Sequence, residues 1–572
     1  MHAVRPVTAP VRLQTRPRSS AAWLILVLML AATLAPACSD PEEQVVDQPY
    51  IPPDSEGNWI LVDNIHSTKQ NPDLKLERNN YNYQGMHGFY RLFQQLDTHG
   101  YPYRQIAWDP NEDTRLTAEV LKDFKVLFIN LISDDQPDFT QDEIAAITDW
   151  VEGGGGLFVI ADHTNVYHHA ERLNPLLATF GIEVLFSTAV DSPPQYAINS
   201  FWVKIRSFAD HPVTDGVSVV SFQTGGPLVT DDGVAFLSNA GFSDDWIEAE
   251  ANPGFYGNGR LDPGEPSGPL PVVAATNFGE GRVVVVGDQN VFGDEWVMVG
   301  QNFEIVLNIF EWLARNEFAD PHLRDLRTID QYEVGFEVDH SVWNIGTNAC
   351  SGYFPFYINF NRAPSMQARG IVEFTGKERA LVFTDPTAAY SAAEINQIKG
   401  YLKDGKPVVI VTDITRAGAG STQLIRELLP EVTFHGKETF GAEALPAGEA
   451  LVATQEAASE FPVSSSILEV AGRRLSGQLP IEGGQCEPKD TWRSYVRMVT
   501  ADGGTPLLQA DVDGQTVDLA RIYEVDGGKV ILFLQDGFWR NETLGWERMV
   551  PTAAHDDAHQ VEYAFIDWLM TQ

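Results

Sequence analysis

Short, wholly apolar runs alternate along the chain with segments whose apolar positions fall three and four residues apart. Leu157–Ile160 and Val408–Val411 are runs of the first kind, the pattern of strands buried on both faces. Each follows a segment of the second kind. Ile144, Ile147, Trp150 and Val151 form one stripe, and Ile395, Ile398, Tyr401 and Leu402 form another, so both segments are predicted to be amphipathic helices. Thr140…Glu143 and Ser391…Glu394 stand just before them as capping boxes, and Gly154 and Gly405 are placed to end them. Alternation of this kind predicts doubly wound, mostly parallel α/β sheets with right-handed crossovers.

The two patterns are related. Phe139-Thr140-Gln141-Asp142-Glu143-Ile144 answers Tyr390-Ser391-Ala392-Ala393-Glu394-Ile395 without a gap. Val62-Asp63 is matched with Val338-Asp339, Asp134 with Asp385, and Asp162 with Asp413. Phe89–Phe93 is matched with Phe356–Phe360, Gly281-Arg282-Val283 with Gly528-Lys529-Val530, and Trp312-Leu313 with Trp568-Leu569. The reading is two α/β domains in tandem, 58–318 and 330–572, joined by a polar linker at 319–329. Residues 191–270, rich in Gly, Pro and Asp, are expected to form a β-rich insertion in the first copy, appended as a flap.

Composition changes the picture at the N-terminus. Residues 1–37 carry four Arg, no acid, and the apolar run Ala21–Leu34, which is a secretory signal in shape and too short for a comfortable span. Leu34-Ala35-Pro36-Ala37-Cys38 resembles a bacterial lipobox, with Cys38 the acylated residue; Ala35-Pro36-Ala37 equally suits ordinary signal peptidase. Residues 38–57 read as an acidic tether. Cys350 and Cys486 are then left as an even pair, either a disulfide or two buried thiols. The expected location is the bacterial cell envelope. The net charge of −40 excludes nucleic acid as a partner and leaves a Cys38 lipid as the one expected membrane contact.

Val62-Asp63-Asn64-Ile65-His66, Gly153–Gly156, Asp162-His163, Ala209–Val217 and Gly279–Asp288 together resemble the class I glutamine amidotransferase-like, flavodoxin-like domains of unknown function. Such domains occur in bacterial envelope proteins and in an intraflagellar transport subunit. The resemblance implies two flavodoxin-like sheets. True amidotransferases place a Cys nucleophile on the turn after a central strand. Here that turn reads Ala161-Asp162-His163-Thr164 and, in the second copy, Thr412-Asp413-Ile414-Thr415, so no thiolate is available there to attack.

Open α/β sheets bind ligands beyond the carboxyl ends of their strands, where Asp63, His66, Asp134, Asp162, His163 and Asp288 are expected. These six are the candidate ligand-binding residues. Asp63, His66, Asp162 and His163 are the set that could hold a divalent metal for hydrolysis, although short polar residues at strand ends also cap turns. Acids present in both copies, among them Asp339, Asp385 and Asp413, read as architectural. Asn258, Asp262 and Glu265 match the second half of a calcium loop, against the plainer reading of a Gly/Pro-rich turn. Gly418–Thr422 is either a phosphate cradle or a simple helix start. The aromatics Trp343, Phe354, Phe356, Tyr357, Trp539 and Trp546 are either a glycan-binding surface or core. The expected function is a non-catalytic module that binds or scaffolds an envelope protein or glycan. The alternative is a metal-dependent hydrolase with its site in the first domain.

Overall fold

The computed structural model describes residues 60–67, 102–109, 113–132, 136–196, 200–245, 257–315, 334–341, 352–360, 368–436 and 499–536, with short gaps, and parts of 89–96 and 539–572. Cys38, Cys350, Cys486, Asp134, Trp343 and Trp546 lie outside the described residues. The described residues belong to one compact unit, Tyr50–Gln572, built on two large sheets.

In the first sheet, β1 (Ile60–Asn64) lies between β2 (Tyr103–Ala107) and β3 (Val126–Ile129). Next come β4 (Gly156–Ile160) and the strand Gly281–Val286; all five run parallel. Three antiparallel strands follow, Pro271–Phe278, Gly233–Phe236 and Ser207–Phe208. The second sheet repeats the order: Ala368–Ile371, Val334–Glu337, Ala380–Thr384, Val408–Val411 and Gly528–Phe533 run parallel. Gln515–Val525 and Thr505–Val512 then extend it antiparallel. The fold is mixed α/β, with eight strands in one sheet and seven in the other.

Side chains alternate across each strand and sort into separate layers. Ile60, Val62, Val409 and Val411 join one apolar cluster that runs through both sheets. Leu61 and Leu127 face a second layer confined to the first sheet, and Val408 and Ile410 a third confined to the second. Both expected capping boxes form, Thr140 with Glu143 and Ser391 with Glu394, opening the helices Gln141–Glu152 and Ala392–Lys403. Gly154 and Gly405 follow with φ of 116° and 79°, a region that Gly enters without steric cost.

Residues 191–270 are rich in short strands, but they are not a separate flap. Gly233–Phe236 and Ser207–Phe208 lengthen the first sheet, and Phe242–Asp245 pairs with Ser187–Val190. The aromatics Phe354, Phe356, Tyr357 and Trp539 are buried, with Phe356 stacked on Trp539 at 4.9 Å, so they are core and offer no binding surface. Among the described residues, no helix is long and apolar enough to cross a membrane.

Candidate functional site

At the carboxyl end of β1 the Asp63 carboxylate closes a turn. Its Oδ1 accepts the backbone N–H groups of Ile65 (2.9 Å) and His66 (3.3 Å), and its Oδ2 meets His66 Nδ1 at 2.9 Å. The imidazole stacks on Phe139, centroids 3.9 Å apart, and turns Nε2 toward Glu143 Oε1 at 3.5 Å. Glu143 is the capping-box residue of the following helix, and it also accepts from Leu116 N–H at 3.0 Å. Asp63, His66 and Glu143 are all buried. Burial opposes charge on His66, but the two carboxylates outweigh it and raise its pKa to about 9. Burial likewise opposes ionisation of Glu143; bonds from His66, Thr140 and Leu116 prevail and lower it to about 2. The result is an imidazolium held between two carboxylates.

At the ends of the central strands a different arrangement forms. Asp162 is pushed well up by burial and by the charge of Asp288. Asp288 is raised by burial to about 7, although it accepts from the backbone of Gln223, Asn290 and Val291. His163 is lowered to about 3 by burial and by His169. Its Nδ1 lies 3.0 Å from Thr164 Oγ1. His169, lowered by burial to about 4, sits with Nδ1 at 2.7 Å from the Val166 carbonyl. Its Nε2 receives the Asp162 N–H at 3.0 Å, which assigns the neutral ring a proton on Nδ1. Thr164 has φ of 50°, a rare conformation for a β-branched residue, on the turn that follows β4.

The expected metal set is therefore corrected. No three of Asp63, His66, Asp162 and His163 bring ligand atoms within 4.8 Å of one another. The reason is local: Asp63 and His66 neutralise each other with Glu143, while Asp162 and His163 are engaged by neighbouring backbone and hydroxyl groups. The three candidate calcium residues are engaged locally. Asp262 Oδ2 accepts from Asn258 Nδ2 at 2.6 Å, Glu265 Oε2 from Asp262 N–H at 2.6 Å, and Glu265 Oε1 from Asp245 N–H at 2.9 Å. These groups tie down a turn, and they form no group of three converging acidic ligands. The Gly418–Thr422 helix start is filled by its own chain, with Ser421 N–H on the Pro386 carbonyl at 3.0 Å, so no phosphate cradle remains. Asp385 keeps the architectural role expected of it, accepting from Thr412 Oγ1 at 2.8 Å.

The second sheet rebuilds the Asp63–His66–Glu143 arrangement and opens it. Glu337 Oε1 accepts the N–H groups of Asp339 (2.7 Å) and His340 (2.9 Å) and meets His340 Nδ1 at 3.0 Å. His340 stacks on Tyr390 at 4.0 Å and faces Glu394 Oε1 with Nε2 at 3.7 Å. The register expected from sequence is thus off by two: Asp63 corresponds to Glu337, and Asp339 falls where the first sheet has the buried Ile65. Asp339 is consequently not architectural in the expected sense. It pairs with Lys204 of the first half, Nζ lying 2.8 and 2.9 Å from its two oxygens. Glu394 is 28% exposed, against 2% for Glu143.

A cavity of about 430 Å³ opens at this point, lined among others by Gln195, Lys204, Arg206, Asp339, His340 and Glu394. Arg206 pairs with Glu373 on its wall. Burial opposes charge on His340, and the bond and charge of Glu337 outweigh it, so its pKa is raised. Sequence reasoning missed His340, Glu337, Glu394 and Lys204 as site residues. The available signal was the pairing of acid-x-x-His, as in Asp63…His66 and Glu337…His340, with an aromatic just before a capping box.

Residues 84–310 match the family model described as a domain of unknown function, DUF4350. No curated protein matches the chain. Among solved structures, the mmIFT52 N-terminal domain is similar at 16% identity and a TM-score of 0.33, covering 45% of this chain and 97% of that one. A putative ThuA-like protein from Bacteroides uniformis follows at 15% identity and a TM-score of 0.28, covering 46% of this chain and 94% of the other. A second putative ThuA-like protein, from Parabacteroides merdae, stands at 12% and 0.27, covering 46% and 92%.

Proposed function

We propose that this protein is a non-catalytic ligand-binding module of the bacterial cell envelope, secreted by its N-terminal signal and anchored through an acylated Cys38. In this reading its two sheets are tandem amidotransferase-like, flavodoxin-like domains that have lost the nucleophile and kept the strand-end crevice. The ligand seat is the cavity beside His340. What supports it is the lining: Lys204 pairs with Asp339 and Arg206 with Glu373, and Glu394, Gln195 and Gln397 line the same cavity. Closely mixed donors and acceptors of both signs suit a small hydroxyl-rich ligand, such as a glycan fragment, better than an apolar one. The site in the first half is a poorer seat, because its three charged groups are buried and pair with one another.

The test is a thermal-shift panel of soluble envelope glycan fragments, with an N-acetylglucosamine disaccharide as reference. Stabilisation of the wild type that is lost in Arg206→Ala supports the reading. A panel in which no member moves the melting temperature sinks it.

A further inference from the structure

The cavity wall holds the makings of a cation site. Among the described residues, Asp339, His340 and Glu394 are the group whose ligand atoms all lie within 4.8 Å of one another. They come from two elements: Asp339 and His340 follow the strand Val334–Glu337, and Glu394 stands in the first turn of the helix Ala392–Lys403. They also line the 430 Å³ cavity, so a bound ion would be reachable from solvent.

We propose that Asp339, His340 and Glu394 bind one divalent transition-metal ion, with zinc as the best-fitting member of the class. An imidazole nitrogen with two carboxylates is a mixed nitrogen–oxygen donor set, which suits zinc or manganese and disfavours calcium. Bonds of 2.0–2.1 Å in a tetrahedral site put ligand atoms about 3.4 Å apart. His340 Nε2 and Glu394 Oε1 stand at 3.7 Å, and all three ligand atoms lie within 4.8 Å of one another, so binding draws the group together by about 1 Å.

The surroundings are those of oriented ligands. The buried Glu337 holds His340 Nδ1 at 3.0 Å, which directs Nε2 to the ion, as carboxylates do for metal-bound histidines. Lys204 bonds the Asp339 carboxylate, which has lone pairs enough to serve both the ammonium and an ion. Glu394 gives Oε2 to the Ser391 N–H at 2.7 Å and leaves Oε1 toward His340.

Comparison of the two halves separates this from a merely structural cluster. The first half has an acid in the equivalent place, Asp63 for Glu337, a histidine likewise stacked on an aromatic ring and the same capping-box glutamate, but Ile65 occupies the position of the third ligand and the group is sealed. In the second half that position carries a carboxylate, and the group is open to a cavity. Three protein ligands leave a fourth position facing the cavity. The inference rests on the preceding reading of the cavity only for what fills that position.

The full chain, stripped with EDTA, would be titrated with zinc chloride and with manganese chloride by calorimetry. One equivalent of either ion is expected. Asp339→Asn should weaken binding at least tenfold and His340→Gln about a hundredfold or more. His168→Gln, at an exposed histidine outside the cavity lining, should leave it unchanged. Asp339 pairs with the buried Lys204, so circular dichroism checks the fold of both variants, and Glu394→Gln, at the most exposed of the three ligands, should weaken binding as well. Cobalt(II) adds a second readout, a visible absorption band lost in His340→Gln. Absence of zinc and manganese binding in the wild type overturns the proposal, as does binding that survives both substitutions. Glycan-dependent stabilisation that persists in EDTA would leave the binding-module reading standing while the metal site fails.

Discussion

His66 shows how one buried side chain sets a pH window. Its pKa in the folded chain is raised from 6.5 to about 9, so its contribution to stability is complete below pH 6.5 and fades as pH rises through 9. Glu143 acts in the opposite sense: lowered to about 2, it contributes fully above its ordinary value of 4.5 and is lost as pH falls through 2. Between about 4.5 and 6.5 both are in force. His66→Gln leaves two buried carboxylates without their counter-charge, which costs about 3–5 kcal/mol in comparable pairs. Urea unfolding of the two proteins should show a gap of that order at pH 6 that narrows steadily toward pH 10. A gap independent of pH would mean the histidine is neutral and serves packing alone.

At the scale of elements, the capping boxes do two jobs. Glu143 and Glu394 close helix starts, and they also face a histidine from the first strand of their sheet. Thr140→Ala and Ser391→Ala should each cost about 1 kcal/mol, the usual worth of a helix cap, measured by chemical denaturation. Only Ser391→Ala should disturb zinc binding, since it removes the Oγ that accepts the Glu394 N–H and fixes the turn carrying that carboxylate.

These elements were legible in the chain because caps and stripes are local signals. Thr140, Ser391 and the apolar runs at 157–160 and 408–411 all fall where the pattern put them. The antiparallel strands at the far side of each sheet were not, because their pairing depends on partners distant in sequence. The site was misplaced for a related reason. Matching Val62-Asp63 to Val338-Asp339 preserves residue identity, whereas the chain preserves geometry: a glutamate at 337, one methylene longer, reproduces the bonds of Asp63. Two residues of register then decide whether Asp339 counts as architecture or as a ligand.

At the scale of the molecule, a seam joins the two sheets. Gly370 N–H bonds the Met298 carbonyl at 3.0 Å, its own carbonyl takes Gly300 N–H at 2.9 Å, and Val299 pairs with it in parallel. Arg369, 1% exposed, reaches Glu304 at 2.7 Å, and Lys204 and Arg206 hold Asp339 and Glu373. A Cβ at Gly370 would stand 2.7 Å from Val299 Cγ2, closer than packing allows. Gly370→Ala should cost about 1–3 kcal/mol by overcrowding, seen as a lower melting temperature. It should also weaken zinc binding, because the strand that carries the change neighbours the one leading to His340.

The shared apolar cluster makes this seam more than a contact. Two domains joined end to end ordinarily stay separable. Here Phe336, Val382, Val409 and Ile531 lie in the same interior as Phe128, Phe158 and Phe310, and the outer strand of the second sheet has its edge covered by residues 298–300. Severed at 319–329, residues 330–572 would carry a bare apolar face and an uncovered strand edge, the surfaces through which β proteins associate with their own kind. The second half leans on the first, and its histidine crevice is walled by both: Asp339 and His340 come from the second half, and the lysine that pairs with Asp339 comes from the first.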